Sequence, residues 1–302
     1  MAMNITAVVV THNRLEDLKR CIASLERQTR PLDRILVIDN GSTDGTKDWL
    51  HSQPGIEPIH QANLGSGAGL KAGFEHALEL GTDLVYALDD DAKPKEDAVE
   101  KILSAWMRLS RTEDWVLTSL CTDPVSGQTG PVAVIQPGAP RHPQQMIINI
   151  KGAPPELIRD GVFPNWGHFF LGVLIPAEVI RKIGFPRPEL FIRGEDYEYL
   201  LRCLRHGRVG IVLDSILYHP MVVNPPQTNQ RLAPKDYYQI RNQLLINREY
   251  FPRLLNSPPF RLAKYGRDLL RDLIQGRGFD RTRFYEYFDA LTHNYDRDLS
   301  KI

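Results

Sequence analysis

The first hundred residues alternate short apolar runs with segments of helical periodicity, and this alternation constrains the fold more than any other feature. Apolar runs of strand length occupy residues 5–10, 34–38 and 84–88, whereas residues 15–25 carry leucine and isoleucine at helical spacing. Strands that alternate with helices in this way predict an α/β fold. Its central sheet is expected to be mostly parallel, with helices on both faces.

Further elements are predicted from local signals in the same half of the chain. Ser42 or Thr43 can cap a short helix that runs to about residue 50. A glycine-rich segment leads into a helix within residues 65–80, and Pro94 suits the first turn of another helix. The segment at residues 56–60 contains Pro58 and makes a poor central strand.

The second half of the chain is less regular. Residues 121–165 are rich in proline, glycine and glutamine, which predicts loops or a hairpin. The remaining predicted elements are a strand at 168–175, a helix from residue 176, a helix at 195–206, strands at 209–213 and 216–218, and a helix at 237–250. A mobile loop is predicted at 221–234, and one or two helices beyond residue 260.

Composition narrows the class of protein. Lys and Arg together number 37, as do Asp and Glu, so the net charge gives no support for nucleic acid as a partner. The three distant cysteines, Cys21, Cys121 and Cys203, are expected to be buried reduced thiols of a cytoplasmic protein. No apolar run approaches the ~20 residues that span a bilayer. The N-terminus leads directly into a strand pattern, so no secretory signal is expected.

Three polar residues stand where apolar runs end. These residues are Thr11, Asp39 and Asp89. In open α/β sheets, ligands bind beyond the carboxyl ends of the strands. The sequence therefore predicts a ligand site at this edge.

The triplet Asp89-Asp90-Asp91 concentrates negative charge at one strand end. A divalent cation relieves repulsion between such carboxylates, and it could also bridge to a pyrophosphate. Asp89 and Asp91 are the natural metal pair, because alternate residues of an extended chain point the same way. Asp90 could accept hydrogen bonds from a ribose or sugar hydroxyl. A solvated acidic turn remains the open alternative.

Two later motifs suit the same chemistry. His219 follows a predicted strand, and imidazole is a ligand for Mn²⁺-like metals, although a single histidine is more often a packed or surface residue. Glu195 and Asp196 open a predicted helix, where carboxylates are favoured by the helix dipole. A carboxylate there could instead act as a general base for a hydroxyl group, so capping and catalysis both remain open.

The glycine-rich segment 63–69 could let backbone amides approach a phosphate or a sugar. Gly67, Gly69 and Ala72 also fit a loose dinucleotide-binding pattern, which would favour a nicotinamide-dependent oxidoreductase. Against that class, residues 11–14 read Thr-His-Asn-Arg where a glycine-rich turn would follow the first strand. Trp166 could stack on a sugar ring or belong to the core.

The C-terminal tail contains a basic amphipathic stripe. Its basic residues are Arg261, Lys264, Arg267 and Arg271, with Leu262, Leu269 and Leu273 opposite. Such a helix can lie on an anionic membrane surface or can be a solvated surface helix. The first interpretation would place a cytoplasmic protein peripherally on the inner face of the membrane.

Six motifs occur in order along most of the chain. They are Ala-Val-Val-Val-Thr-His-Asn-Arg at 7–14, Val-Ile-Asp-Asn-Gly-Ser at 37–42, Asn-Leu-Gly at 63–65, Leu-Asp-Asp-Asp at 88–91, Phe-Ile-Arg-Gly-Glu-Asp at 191–196 and Tyr-His-Pro at 218–220. Together they resemble the inverting glycosyltransferase family two, which has the GT-A fold. The triplet, the Phe-Ile-Arg-Gly segment and the Tyr-His-Pro ending are most similar to its bacterial galactofuranosyltransferase and rhamnosyltransferase branch.

The resemblance implies a role for each matching residue. The implied donor-nucleotide contacts are Thr11, Asn13, Asp39, Asn63, Gly65 and Asp90. The implied ligands of Mn²⁺ or Mg²⁺ are Asp89, Asp91 and His219. Asp196 would be the catalytic base, and Glu195 and Trp166 would contact the acceptor.

The resemblance also implies the reaction and the domain plan. A sugar would pass from UDP-galactofuranose, or alternatively from dTDP-rhamnose, to a hydroxyl of a cell-surface glycan or lipid-linked acceptor. Residues 1–250 would form the GT-A domain, with its nucleotide-binding half at 1–120 and its acceptor-binding half at 121–250. Residues 251–302 would form a C-terminal helical extension. A non-catalytic module that binds nucleotide sugars remains the alternative from another class.

Overall fold

The computed structural model describes residues 3–109, 114–133, 147–150, 155–220 and 234–250. The chain divides into two compact units. The first comprises Met1–Phe191 with Glu195–Met221, and the second comprises Ile192–Gly194 with Val222–Ile302. The predicted boundary at residue 250 falls inside the second unit and stays a prediction.

Several predictions fall on segments without a description. The C-terminal extension, with its basic stripe, lies outside the described residues, and so does the loop predicted at 221–234 apart from its last residue, Pro234, which begins a helix. Among the helices that are described, none is long and apolar enough to cross a membrane.

The described residues contain seven α-helices and eleven strands. The helices are α1 (Leu15–Glu26), α2 (Thr46–His51), α3 (Ser66–Glu79), α4 (Ala98–Leu109), α5 (Ala177–Ile183), α6 (Glu195–His206) and α7 (Pro234–Tyr250). The strands are β1 (Ile5–Thr11), β2 (Arg34–Asp39), β3 (Glu57–His60), β4 (Leu84–Asp89), β5 (Lys93–Pro94), β6 (Trp115–Thr122), β7 (Pro131–Ala133), β8 (Ile147–Asn149), β9 (Val162–Pro164), β10 (Leu171–Pro176) and β11 (Arg208–Tyr218).

The main sheet has the order β3-β2-β1-β4-β10-β6-β11-β5, and β9 also pairs with β11. Strands β1 to β4, β6 and β11 point in one direction, whereas β5, β9 and β10 run opposite to their neighbours. The predicted α/β class with a mostly parallel central sheet is therefore confirmed. Strands β7 and β8 form a separate antiparallel pair within the segment where a hairpin was one of the two expectations.

Both faces of the sheet are covered by helices, as its apolar strands require. On β1, Ile5, Ala7 and Val9 belong to the core cluster that includes residues of α1 and α4. The alternate residues, Val8 and Val10, belong to a second cluster with residues of α3, α5 and α6. The period of two along a strand thus divides one apolar run between two cores. The three cysteines are buried and free, as predicted.

The predicted cap of α2 was wrong. The helix begins at Thr46, after Gly45 in the left-handed region (φ 89°), and has no side-chain cap. Ser42 and Thr43 instead hold the loop to the end of β1. The backbone N–H of Asn13 donates to Ser42 Oγ at 2.9 Å, and the backbone N–H of Thr43 donates to Asn13 Oδ1 at 2.7 Å.

Two element predictions near the site were also corrected. Pro94 does not open a helix, because it belongs to β5, whose residues Lys93 and Pro94 pair with Tyr218 and Leu217 of β11. The strands expected at 209–213 and 216–218 form the single strand β11, with a register shift between Val212 and Ile216.

Glycines allow α3 to pack directly on the strands that lead to the predicted site. A Cβ atom on Gly73 would lie 2.4 Å from Val8 Cγ1, and one on Gly69 would lie 2.7 Å from Val10 Cγ1. A Cβ atom on Gly67 would lie 2.5 Å from the Arg187 carbonyl oxygen. Close packing thus accounts for the glycine spacing that fits the loose dinucleotide-binding pattern.

Replacing Gly73 with alanine should destabilise the protein, although alanine is the better helix former. Overpacking against Val8 costs roughly 1–3 kcal/mol, while the better helix propensity of alanine contributes about 1 kcal/mol, so a net loss of about 1 kcal/mol is expected. Urea unfolding measures it. Gly55→Ala is the control, because its Cβ would have nothing within 4 Å. Equal stability of both variants would contradict the packing argument.

Candidate functional site

The ends of four parallel strands lie side by side at one edge of the sheet. Thr11 pairs in register with Asp39, and Asp39 with His60. On the other side of β1, Val10 pairs with Asp89. The predicted strand-end residues Thr11, Asp39 and Asp89 are therefore neighbours. This register fixes where their side chains can act.

Asp39 is held by hydrogen bonds on both carboxylate oxygens. Its Oδ1 accepts from the Ser42 amide at 2.9 Å, and its Oδ2 lies 3.0 Å from His60 Nδ1. Burial raises the pKa of Asp39, but the contacts with Ser42 and His60 outweigh it and lower the pKa below its usual value. His60 Nε2 in turn lies 3.2 Å from His51 Nε2. The edge thus presents an ionised, oriented acceptor.

The predicted residues Asn63 and Gly65 follow β3 and precede α3. Asn63 is exposed, and its Oδ1 accepts from the Gly65 amide at 3.2 Å. Gly65 is buried, with φ 86°, and a Cβ there would lie 2.3 Å from the Phe191 carbonyl oxygen. The Gly65 carbonyl accepts from Asn40 Nδ2 at 3.0 Å. Packing therefore requires glycine here, and a role in a donor pocket stays a prediction for both residues.

The acidic triplet begins at the last residue of β4 and continues into a turn. Asp90 turns back toward β1, where its Oδ2 accepts from Thr11 Oγ1 at 2.7 Å. Arg14 lies 3.4 Å from Asp90 Oδ1 and 2.8 Å from Asp91 Oδ2, so one guanidinium bridges two of the three carboxylates. The triplet is therefore not a solvated acidic turn.

The three carboxylates have different electrostatic environments. Desolvation and the charges of Asp91 and Asp90, followed by those of Glu195 and Asp196, raise the pKa of Asp89 well above its usual value. Burial also raises the pKa of Asp90, to about 6, against the opposing effects of Thr11 and Arg14.

Asp91 has the opposite shift. Burial favours its neutral form, but contact with His219 and the charge of Arg14 outweigh burial and lower the pKa to about 2. Negative charge is thus compensated at Asp91 and only incompletely at Asp89 and Asp90.

His219 reaches the triplet through a strand pairing remote in sequence. Because β5 pairs with the end of β11, the residue after Tyr218 lies beside the turn that follows β4. His219 Nε2 is 3.2 Å from Asp91 Oδ1. The structure therefore brings together the predicted ligands Asp91 and His219.

The donor set can be tested against a divalent metal. Within the described residues, no group of three or more His, Cys, Asp or Glu side chains is arranged to hold a metal ion. Asp91 Oδ1, however, is buried and accepts no hydrogen bond there, although it lies beside His219 Nε2. A carboxylate oxygen and an imidazole nitrogen facing each other suit Mn²⁺. This pair therefore fits the predicted metal by its chemistry.

Helix α6 begins at Glu195, where the sequence predicted it. Glu195 is 8% exposed, and its Oε1 accepts a hydrogen bond from Ser66 Oγ at the start of α3. Asp196 is exposed, and its Oδ1 accepts from the Tyr197 amide at 2.7 Å. The charges of both carboxylates contribute to the raised pKa of Asp89, so the predicted base lies near the triplet.

Trp166 belongs partly to the core. Its ring packs against two apolar clusters, and its centroid lies 6.4 Å from that of Tyr197. Both Trp166 Nε1 and the Tyr197 hydroxyl are buried without a hydrogen-bond partner among the described residues. Trp166 thus neighbours the residue after Asp196, and its contact with an acceptor stays a prediction.

Two residues of this edge had no role assigned from the sequence. Arg14 was visible only as the last residue of the first motif. His60 could have been found from its position at a strand end, but Pro58 argued against that strand. β3 is in fact an edge strand, where proline is tolerated.

Comparisons with known proteins are consistent with this geometry. The family described as "Glycosyl transferase family 2" matches residues 6–112. Galactofuranosyltransferase GlfT1 of Mycobacterium tuberculosis (strain CDC 1551 / Oshkosh) is 30% identical over 230 residues, which cover 73% of this chain and 71% of that protein. The dTDP-rhamnosyl transferase RfbF of Shigella flexneri is 28% identical over 273 residues, covering 85% and 84%.

Solved structures show the same fold. The crystal structure of S. aureus TarS 1-349 in complex with UDP-GlcNAc has a TM-score of 0.57 at 15% identity, covering 96% of this chain and 80% of that one. The complex of the same protein with UDP has a TM-score of 0.53 at 18% identity, covering 85% and 67%.

His60→Ala should destabilise the protein, because Asp39 is 2% exposed and would lose one of its two hydrogen-bonded contacts. A buried acceptor left unsatisfied costs about 1–3 kcal/mol in unfolding free energy. His51→Ala is the matched control, since it removes only the outer, exposed contact and should stay within about 0.5 kcal/mol. Chemical denaturation of both variants measures the difference. If His51→Ala were as unstable as His60→Ala, the destabilisation would not come from the lost contact with Asp39.

Proposed function

The chain belongs to glycosyltransferase family 2, and from this premise we propose that it is a metal-dependent, inverting enzyme that takes its sugar from a nucleoside diphosphate. The observation that carries the proposal is the convergence of Thr11, the acidic triplet and His219 at one edge of the sheet. The sugar would pass to a hydroxyl of a cell-surface glycan or a lipid-linked acceptor. The acidic residues, the imidazole and the base candidate Asp196 together supply what this reaction needs.

The nucleotide would lie across the ends of β1 and β2. Asp39 is an oriented, ionised acceptor, which suits an N–H group of a nucleobase or a ribose hydroxyl. Thr11 orients Asp90, which would accept from the ribose or the donor sugar. Asn13, which anchors the loop after β2, would lie beside the nucleotide, and Asn63 and Gly65 would lie beside it before α3. These assignments follow the position of each residue at the edge.

Mn²⁺ or Mg²⁺ would be held by Asp89, Asp91 and His219. A divalent ion there would supply positive charge to stabilise the departing diphosphate. The oxygen-and-nitrogen pair of Asp91 and His219, 3.2 Å apart, supports this assignment. The raised pKa values of Asp89 and Asp90 support it too, because burial and then the neighbouring carboxylates disfavour their ionised forms, which a bound cation would favour.

The chain's own role in the chemical step would fall to Asp196. The acceptor hydroxyl oxygen forms a bond to the anomeric carbon, the bond from that carbon to the diphosphate oxygen breaks, and the hydroxyl proton passes to Asp196. Its exposure and its position near the triplet support this role. Glu195 is buried against Ser66, so it would act by positioning α6 as well as by contacting the acceptor. Trp166 would lie on the acceptor side.

UDP-galactofuranose is the proposed donor. The relative named a galactofuranosyltransferase is 30% identical to this chain. The relative named a dTDP-rhamnosyl transferase is 28% identical but aligns over more of the chain, 85% against 73%. That longer alignment is the observation that keeps dTDP-rhamnose as the second candidate.

Asp196→Asn should reduce transfer by about 10²–10⁴-fold, because the amide cannot accept the proton. Binding of UDP in the presence of Mn²⁺ should remain at the wild-type level, since the change is isosteric. Product formation and UDP titration measure the two quantities separately. Glu178→Gln, an exposed carboxylate in the first turn of α5, is the matched control. Substantial turnover by Asp196→Asn would exclude it as the base. Wild-type protein that binds donors but transfers none would favour the non-catalytic module.

UDP should protect the protein against thermal unfolding more than dTDP does when Mn²⁺ is present. A ligand at 100 times its dissociation constant adds about 2.7 kcal/mol of apparent stability. The same comparison of UDP-galactofuranose with dTDP-rhamnose, followed by assay of donor consumption, would identify the sugar. Stronger protection by dTDP together with consumption of dTDP-rhamnose would reverse the order of the two donors. No protection by either nucleotide would contradict the site itself.

A further inference from the structure

Arg14 places its guanidinium beside the acidic triplet. It stands between β1 and α1, and its guanidinium contacts Asp17 at 3.1 Å, Asp90 at 3.4 Å and Asp91 at 2.8 Å. We infer that Arg14 is a positioning residue that makes metal binding conditional on the donor diphosphate. The inference rests on the proposed function and assigns that site a further residue.

The contacts divide the Asp91 carboxylate between two partners. Arg14 binds Oδ2, whereas Oδ1 faces His219 and is buried without a hydrogen bond from the described residues. Arg14 thus leaves the proposed metal-facing oxygen open and holds the carboxylate in place through the other. A guanidinium, with five donors in a rigid fork, suits this task better than an ammonium.

The contacts of Arg14 with Asp90 and Asp91 also oppose metal binding in the absence of the donor. A guanidinium 2.8 Å from one triplet carboxylate and 3.4 Å from another offsets part of the negative charge that would attract a divalent cation. A cation that arrives alone therefore meets a positive charge beside its proposed ligands. It binds more weakly than the three carboxylates alone would allow.

A nucleoside diphosphate reverses this balance. Arg14 is 45% exposed, and its contact with Asp17 holds it beside the triplet. An anchored guanidinium can donate further hydrogen bonds to phosphate oxygens. The negative charge of the diphosphate then offsets the positive charges of both the guanidinium and the metal. Binding of the diphosphate and binding of the metal therefore favour each other.

The consequence is a positive coupling between Mn²⁺ and UDP. Coupling free energies act equally in both directions, so UDP strengthens Mn²⁺ binding by the factor by which Mn²⁺ strengthens UDP binding. Arg14 would set the size of this factor by weakening metal binding in the absence of the nucleotide and by strengthening nucleotide binding.

The test measures binding, independently of turnover, on the full chain. Mn²⁺ affinity is determined by calorimetry with and without UDP for wild type, Arg14→Gln, Arg14→Lys and Arg20→Gln. Wild type should show coupling of about tenfold. Arg14→Gln should bind Mn²⁺ alone several-fold more tightly and show a smaller coupling, because only the direct attraction between Mn²⁺ and the diphosphate remains. Arg14→Lys keeps the charge and should move both quantities back toward wild type.

Arg20→Gln is the matched control. Arg20 contacts Asp17 on the same helix, and no contact with the triplet is described for it, so its replacement should leave Mn²⁺ affinity and coupling unchanged. Circular dichroism verifies the folding of each variant. If Arg14→Gln does not fold, Arg14→Ala, for which the same result is expected, carries the test.

Failure of the two proposals would look different. His219→Ala with wild-type Mn²⁺ affinity, or a wild type that binds no Mn²⁺ even when UDP is present, would contradict the proposed metal site. Mn²⁺ binding that depends on His219 but is unchanged in affinity and coupling by Arg14→Gln would overturn only the role of Arg14. A loss of coupling in Arg20→Gln as large as in Arg14→Gln would also overturn it.

Discussion

The register of the parallel strands β3, β2, β1 and β4 is the constraint on which the site depends. Thr11, Asp39 and His60 stand in one row because their strands are paired residue by residue, and Asp89 pairs one residue earlier on β1. A shift of one residue would move every side chain to the opposite face. The two apolar cores prevent such a shift, because β1 is buried on both faces. Core packing therefore positions the polar edge.

The other half of the site depends on a pairing between segments far apart in the chain. Residues 93 and 94 add a short antiparallel strand to the end of β11. Because this pairing begins only two residues after Asp91, it places Asp91 beside His219, the residue that follows β11. Local sequence favours a helix start at Pro94, but backbone hydrogen bonds with β11 override that weak preference. The two-residue strand β5 therefore fixes the position of Asp91 and brings His219 into contact with it.

These two halves differ in how far they could be predicted from sequence. The ends of β1, β2 and β4 and the start of α6 at Glu195 follow from local periodicity, and the structure confirms them to within one residue. The contact of Arg14 with Asp91 and that of Ser66 with Glu195 depend on tertiary packing, which local patterns do not encode. His60 was missed because Pro58 argued against a central strand at 56–60. Proline is tolerated in edge strands, but the sequence did not reveal that β3 lies at an edge.

The acidic edge is costly to assemble, and that cost bears on its role. Folding brings Asp89 and Asp90 into a partly desolvated cluster, and their raised pKa values show that their ionised forms are disfavoured. Arg14 and His219 offset this effect mainly at Asp91. A well-packed protein could avoid the remaining repulsion with neutral side chains at positions 89 and 90. A cluster left incompletely compensated is expected where a cationic ligand completes it, because binding to the folded state then stabilises that state.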